Sequence, residues 1–348
     1  MGTDPAAAIR ARIRAEGPIT FATFMELALY GAGGFYAEPP VGAGGDFVTS
    51  PHVHPGFGIF VARALTALAD ALGPPDPLRL TEVGGGDGTL ARQIVGELDT
   101  SYTVVEVSAG ARAALRGIEG IATAERLAGP VDLVVAHELL DNLPFRLVRD
   151  GREVLVDLNG DTLVETRVPI DDELAGLLAN GTDGDVVVPV GIAGFIDELA
   201  GALTRGYALL IDYGDESRSG TPHGYREHRV VDDLLVTPGT VDITAGVDFG
   251  WVARHAEDRG LHAFPVVRQT DALLALGFEQ WSRGELERQQ DQLAGGLGLE
   301  AVRTWSARSR ASMLVDPDAL GRLRWLVLAT PELPAPAWLR SARDRRTD

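Results

Sequence analysis

The chain contains no cysteine and no lysine. The first absence excludes disulfides, thiolate nucleophiles, iron–sulfur clusters and cysteine-based zinc sites. The second excludes a Schiff base and a phosphate-gripping lysine of the Walker kind. All 31 cationic side chains are therefore arginine, and 50 Asp and Glu outnumber them to leave a net charge of −19. That balance argues against binding a nucleic-acid backbone. No run approaches the roughly 20 uninterrupted apolar residues of a membrane-spanning helix. Residues 1–15 mix Asp4, Arg10, Arg12 and Arg14 with alanines and lack the apolar stretch of a secretory leader. The seven histidines are scattered, without helix-spaced pairs backed by carboxylates, so no metal site is expected. No Gly-x-Ser-x-Gly elbow marks an α/β-hydrolase. The expectation is a cytoplasmic protein with no metal, no nucleic-acid partner and no membrane insertion.

What is present suits a packed interior: 45% of the 348 residues are apolar, enough for one large α/β domain with insertions or for two domains. Ile9, Ile13, Phe21, Phe24, Met25, Leu27 and Leu29 recur at helical spacings, a glycine-rich loop occupies 41–47, and 57–72 reads as an amphipathic helix. From Leu78 the pattern changes. Short apolar runs at 78–83, 102–107, 131–136 and 207–211 alternate with helical stretches, which predicts a parallel sheet with crossover helices. Residues 145–169, interrupted by Asp150-Gly151 and Asn159-Gly160-Asp161, predict an antiparallel hairpin insertion. The polar stretch 215–247 is too long for a plain connection and reads as a functional, lid-like segment. A strand is expected near 262–267, an edge strand at 323–329, and a Pro- and Arg-rich tail follows from Pro331.

Thr81-Glu82-Val83-Gly84-Gly85-Gly86-Asp87-Gly88-Thr89-Leu90 reads as strand, glycine turn and helix start, where backbone N–H groups approach a ligand closely. Glu106 ends the next strand about 20 residues on, the place for an acid that takes ribose hydroxyls. Two ligands compete. Gly86-Asp87-Gly88-Thr89-Leu90-Ala91 matches the dinucleotide pattern with its permitted final Ala, so an NAD(P)-dependent oxidoreductase is one reading. Alternate glycines at Gly84, Gly86 and Gly88, with Glu82 two residues before them, suit an amine-bearing cation. S-adenosylmethionine carries a sulfonium, an ammonium and a ribose for Glu82 and Glu106, and the residues favour this methyl donor.

At this point the chain resembles the MidA-type family of S-adenosylmethionine-dependent methyltransferases, which includes the mitochondrial complex I assembly factor. The resemblance spans about 17–328 and rests on blocks in order. Gly17-Pro18-Ile19-Thr20-Phe21, Gly34-Phe35-Tyr36 and Gly45-Asp46-Phe47-Val48-Thr49-Ser50-Pro51 precede the glycine turn. Val105-Glu106-Val107-Ser108, Glu138-Leu139-Leu140-Asp141-Asn142-Leu143-Pro144, Ile211-Asp212-Tyr213-Gly214 and Val241-Asp242-Ile243-Thr244-Ala245 follow it. The resemblance implies an α/β, class I (Rossmann-like) methyltransferase core with a seven-stranded, mostly parallel sheet, a helical N-terminal cap and an inserted lobe. The expected boundaries are a cap with its glycine-rich loop at 1–75, half-cores at 76–145 and 206–330, a lobe at 146–205 and a tail at 331–348. The second half-core carries the substrate loop 215–247. The resemblance also implies methylation of an arginine in a protein substrate, with a respiratory complex I subunit and a homodimer as candidate partners. Four positions depart from the family pattern. His137 stands where Asn is usual, Gly246 where His is usual, and Gly85 and Asp87 replace the common Pro and Arg. A binding module that keeps the cofactor fold without turnover is the non-enzymatic alternative.

Methyl transfer is an in-line displacement in which the protein mainly supplies alignment, with nucleophile and methyl about 3–3.5 Å apart. An arginine acceptor is protonated at any working pH, so carboxylates must hold and orient it. Glu138 and Asp141 follow the 131–136 strand, at the end where such sheets bind ligands, and a helical turn there would put both on one face. Asp46, in the glycine-rich loop, is a third catalytic candidate. Donor-binding candidates are Glu82, Gly84, Gly86, Gly88, Glu106, Val107 and Glu138. Asp212, Tyr213 and His228 are the substrate candidates.

Overall fold

The computed structural model describes residues 4–37, 49–73, 77–178, 185–226 and 229–345. Its main sheet is made of the short apolar runs. These are β1 (Leu78–Val83), β2 (Thr100–Val105), β3 (Ile121–Ala124), β4 (Val131–His137), β5 (Leu203–Asp212), β6 (His262–Ala263), β7 (Val267–Arg268) and β8 (Arg324–Ala329). The order is β3–β2–β1–β4–β5–β8, and β6 and β7 both pair with the outer side of β8. Only β8 runs against the others. Eight assigned strands stand where seven were expected, because the last position is divided between two short pieces. Residues 323–329 are not an edge strand either. Trp325 to Ala329 are fully buried, since β6 and β7 cover the side that would otherwise be open.

Side chains alternate across this sheet, as the two-residue period of a strand requires. Leu133, Val135, Leu209 and Val327 face one apolar cluster, and Val134, Ala136, Leu210 and Leu328 face the other. Burial on both sides explains why these strands read as nearly continuous apolar runs. Asp132 interrupts the run in β4 without cost because Arg79 in β1 donates to it from its backbone N–H and from Nε, both at 2.8 Å.

Helices cover both faces. After α1 (Pro5–Glu16), N-capped by Asp4, come α2 (Gly56–Leu72), α3 (Thr89–Ile94), α4 (Val190–Ala202) and α5 (Phe249–Asp258). Phe57, Phe60, Leu65 and Leu68 of α2 pack on one face, and Ile196 and Leu199 of α4 with Phe249 and Val252 of α5 on the other. Two further helices, α6 (Phe278–Ala294) and α7 (Gly298–Ala311), form a hairpin that buries only Phe278, Ala301 and Ala311. Among the described residues no helix is long and apolar enough to cross a membrane.

The expected insertion is a second, antiparallel sheet. Arg146–Arg149, Arg152–Asn159 and Thr162–Pro169 form it with Ile19–Thr20 and Asp185–Val188. Asp150 and Gly151 have φ of 51° and 72°, the left-handed pair that a tight hairpin turn demands. Phe21, Phe24 and Met25 of the N-terminal segment pack with Leu147, Val154 and Val156 of this sheet. Within 215–247 lie a small three-stranded sheet, His223–Arg226, Arg229–Val231 and Asp242–Thr244, and the short strand Gly214–Asp215 that leads into it.

Candidate active site

The chain winds outward from β1 in both directions, to β2 and β3 on one side and to β4 and β5 on the other. Such a reversal opens a crevice at the carboxyl ends of β1 and β4. Here it is a cleft of about 1180 Å³, walled by the glycine turn, the segment after β4, residues 30–36 and 49–52, and part of 213–246.

At one end the chain leaves β1 through Gly84, Gly86 and Gly88, with φ of 81°, 52° and 77°, a region open to glycine without strain. Glu106 braces this turn. One of its carboxylate oxygens accepts the Gly86 N–H at 3.0 Å and the other the Ser108 N–H at 2.9 Å. Glu82 is buried and accepts a hydrogen bond from the Tyr102 hydroxyl. Burial pushes its carboxyl up to about 7 despite that bond, with Asp87 and Glu106 adding repulsion. Val107 sits on the rim and is exposed.

At the other end β4 stops at His137, and Glu138 takes φ of 50°, a conformation that costs a non-glycine residue energy and tends to mark functional sites. Its N–H bonds the Ile211 carbonyl of β5 at 2.8 Å. Helical structure starts only at Leu140, as a three-residue 3₁₀ turn. Glu138 and Asp141 therefore do not share a helical face. They line the same cleft because the backbone reverses at Glu138. Burial pushes Glu138 up to about 8, helped by Asp141 and opposed by the Ser50 N–H, which approaches Oε1 at 3.4 Å. Burial likewise lifts Asp141 to about 6. Thr244 Oγ1 donates to Asp141 Oδ2 at 2.8 Å, and the Asp212 carboxyl shares a hydrogen bond with Asp141; both oppose the upward push of burial. His137 lies 3.2 Å from Glu138 Oε1, but burial holds its imidazole near 3 and thus neutral, so this contact is no ion pair.

Asp212 is placed differently from the sequence expectation. It is fully buried behind the wall of the cleft, accepting the N–H of Leu140 and of Tyr213, each at 2.7 Å. It anchors the turn that carries Asp141 and does not face the substrate space. Tyr213 does line the cleft, with the Arg322 guanidinium 5.3 Å above its ring. Asp46, with the glycine-rich loop around it, and His228 lie outside the described residues.

Tyr30, Tyr36 and Asp242 were not singled out, yet they line the same cleft. Tyr30 ends a π-helical turn, Glu26–Tyr30, a form often found at functional sites. Its ring stacks on Tyr36 at 5.5 Å. Tyr36 Oη donates to Asp242 Oδ1 at 2.8 Å, Asn142 Nδ2 donates to the same oxygen at 2.9 Å, and Tyr30 Oη donates to the Asn142 carbonyl at 3.0 Å. Burial, then Asp242, keeps both phenols above their ordinary range. The blocks at 34–36 and 241–245 already held Tyr36 and Asp242, but spacing assigned them no role because the partners are about 200 residues apart.

A glycine turn braced by an acid after the second strand, at the switch point of a parallel sheet, together with a carboxylate-lined chamber beside it, defines the class of α/β methyltransferases. The family model for S-adenosyl-L-methionine-dependent methyltransferases matches residues 60–267, and the chain belongs to that family. It is 30% identical over 310 residues to human protein arginine methyltransferase NDUFAF7, mitochondrial, spanning 74% of this chain and 70% of that one. It is also 30% identical to the Drosophila melanogaster homologue of that protein, with 92% and 83% covered. A Burkholderia thailandensis protein crystallised with S-adenosyl-homocysteine superposes with a TM-score of 0.80 at 25% identity, covering 96% of this chain and 94% of that one.

The protein is thus an S-adenosylmethionine-dependent methyltransferase. The lining is compatible with that donor, since the turn is glycine-built and the carboxyls of Glu82, Glu106, Glu138 and Asp141 all border the cleft. The expectation of a cytoplasmic location is corrected by the relatives, which are labelled mitochondrial.

Proposed function

We propose that the methyl acceptor is an arginine side chain of a protein, oriented by Glu138 and Asp141. The observation that carries this reading is the pair of buried carboxyls, Glu138 and Asp141, that line the same cleft. Two acids that burial disfavours in their charged form gain from a cation, and a guanidinium brings five N–H donors in a planar fork. The printed names of the relatives, protein arginine methyltransferases, support the same class of acceptor. The net charge of −19 suits attraction of a cationic segment.

When bound, the donor supplies an activated methyl group. The remaining work belongs to the chain. Glu106 and the glycine turn hold the donor end, with Glu82 behind them. A guanidinium entering between Glu138 and Asp141 restores the ionised form of both acids, which are otherwise held partly protonated by burial. The pair would then hold one nitrogen toward the donor's end of the cleft. The N–H proton given up on methylation would pass to Glu138, which is ionised beside the guanidinium and which burial favours in its protonated form once the cation leaves. Residues 215–247 bring His223, Asp242 and Thr244 to the cleft, which supports reading this stretch as the substrate loop.

The test is transfer of isotope-labelled methyl from the donor in an extract, followed by peptide mapping. Label on arginine, lost with Glu138→Gln, is expected. Label on another residue type overturns the arginine reading, and no label despite tight S-adenosylhomocysteine binding favours the non-catalytic module. The family resemblance further leads us to propose a subunit of the respiratory NADH dehydrogenase as the labelled protein.

A further inference from the structure

We propose that His52 is a positioning residue for the methyl donor, acting through Asp87 to fix the glycine turn and tie it to the acceptor carboxylate. His52 lies in a short helical segment, Ser50–Val53, outside the main sheet, yet its Nε2 is 2.9 Å from Asp87 Oδ2 in the middle of the turn. Its Nδ1 is 2.7 Å from Thr49 Oγ1. Both ring nitrogens are thus engaged in a site where the imidazole side chain is only 13% exposed.

The direction of these bonds follows from the chemistry of the groups. Asp87 would rise on burial alone, but hydrogen bonds from His52 and Thr89 outweigh that and hold its carboxyl below the usual range. An ionised carboxylate only accepts, so His52 Nε2 carries the proton and donates. Asp87 also accepts the Thr89 N–H at 2.9 Å and Thr89 Oγ1 at 3.0 Å, just before the helix. The remaining link runs one residue from His52's other partner: the Ser50 N–H approaches Glu138 Oε1 at 3.4 Å. One short segment therefore contacts the donor turn and the acceptor carboxyl together. A turn with three glycines at positive φ has little internal stiffness, and an outside brace restricts it.

The pair also sets a donor from His52 against the negative charge that Asp87 brings to the turn. The inference rests on donor binding and is independent of which acceptor is methylated.

The experiment is calorimetric titration of the full chain with S-adenosylhomocysteine, alongside thermal unfolding without ligand. His52→Ala and Asp87→Ala should each weaken binding about tenfold, the scale of one charge-assisted hydrogen bond, and the double variant should be no weaker than either single. His52→Gln, which keeps a neutral N–H donor to the Asp87 carboxylate, should stay within about twofold of wild type. Reversing the polarity with His52→Glu plus Asp87→Arg should recover affinity that Asp87→Arg alone loses. Additive effects of the two alanine variants, or a lowered Tm with unchanged affinity, would overturn the proposal and leave the pair a purely structural contact. Failure of the reversed pair to recover any affinity would overturn it equally.

Discussion

Replacing Glu138 with glutamine keeps its shape and removes its charge, which separates binding from turnover. The kcat should fall about a hundredfold or more, the usual cost of losing a group that acts in the transition state, while S-adenosylhomocysteine binding stays near wild type. Steady-state kinetics beside calorimetry reads both quantities. Asp242→Asn probes the missed half of the site. It weakens the acceptor of the Tyr36 and Asn142 bonds, so acceptor KM should rise several-fold with little change in donor KM. Titration adds a third expectation. Glu82, Glu138 and Asp141 are lifted from 4.5 to about 7, from 4.5 to about 8 and from 3.8 to about 6. These raised acids, with Asp212 also raised, outweigh buried His137, which is lowered to about 3 and works the other way below about 6.5. On balance the folded chain binds more protons than the unfolded chain, and stability falls as pH rises from about 4.5 to 8. Urea unfolding should show a lower midpoint at pH 8 than at pH 5, with the difference reduced in Glu138→Gln. An unchanged or higher midpoint at pH 8 contradicts the buried-acid description.

Elements obey tighter geometric limits than single side chains. At Gly85 an added Cβ would stand 2.1 Å from Val104 Cγ1 of β2, and Val104 is fully buried. Glycine at this position leaves room for a valine beneath the turn. Gly85→Ala should destabilise by about 1–3 kcal/mol through overpacking. Combining it with Val104→Ala should lose less than the sum of the two single changes, because the cavity accepts the new methyl. Chemical denaturation of the four proteins in this cycle decides the point; strict additivity would show that the turn shifts instead of clashing.

Across the whole molecule, apolar burial is unevenly shared. The α6–α7 hairpin keeps Leu293, Leu299, Val302 and Trp305 more than half exposed and adds only three residues to the core. Replacing 284–310 with a short Gly/Ser linker should therefore leave donor affinity unchanged and lower Tm by only a few degrees, in line with the small apolar area lost. Donor-site ligands act on the entire fold. At a hundred times its Kd, S-adenosylhomocysteine should add about 2.7 kcal/mol of apparent stability, visible as a higher Tm in the wild type and in Glu138→Gln alike.

The order of apolar runs and turn residues was enough to specify the parallel sheet, the glycine turn with Glu106 after it, and the hairpin at Asp150-Gly151. The turn and the hairpin depend on neighbours within about 30 residues, and the sheet's strands show as apolar runs because they are buried on both faces. Composition alone had already removed thiol and lysine chemistry. Other features depended on contacts that no local pattern encodes. Residues 323–329 became an interior strand only because 262–268 came to lie outside it. Asp212, spaced like a substrate ligand, was turned inward to hold the backbone of 140 and 213. Tyr30, Tyr36 and Asp242 met across some 200 residues, and their hydrogen bonds exist only after the cap, the segment behind β4 and the 215–247 stretch are packed together. The carboxyls of Glu138 and Asp141 were legible as a pair. Their protonation was not, since it is burial, a property of the finished fold, that lifts them into the range where a bound cation decides their charge.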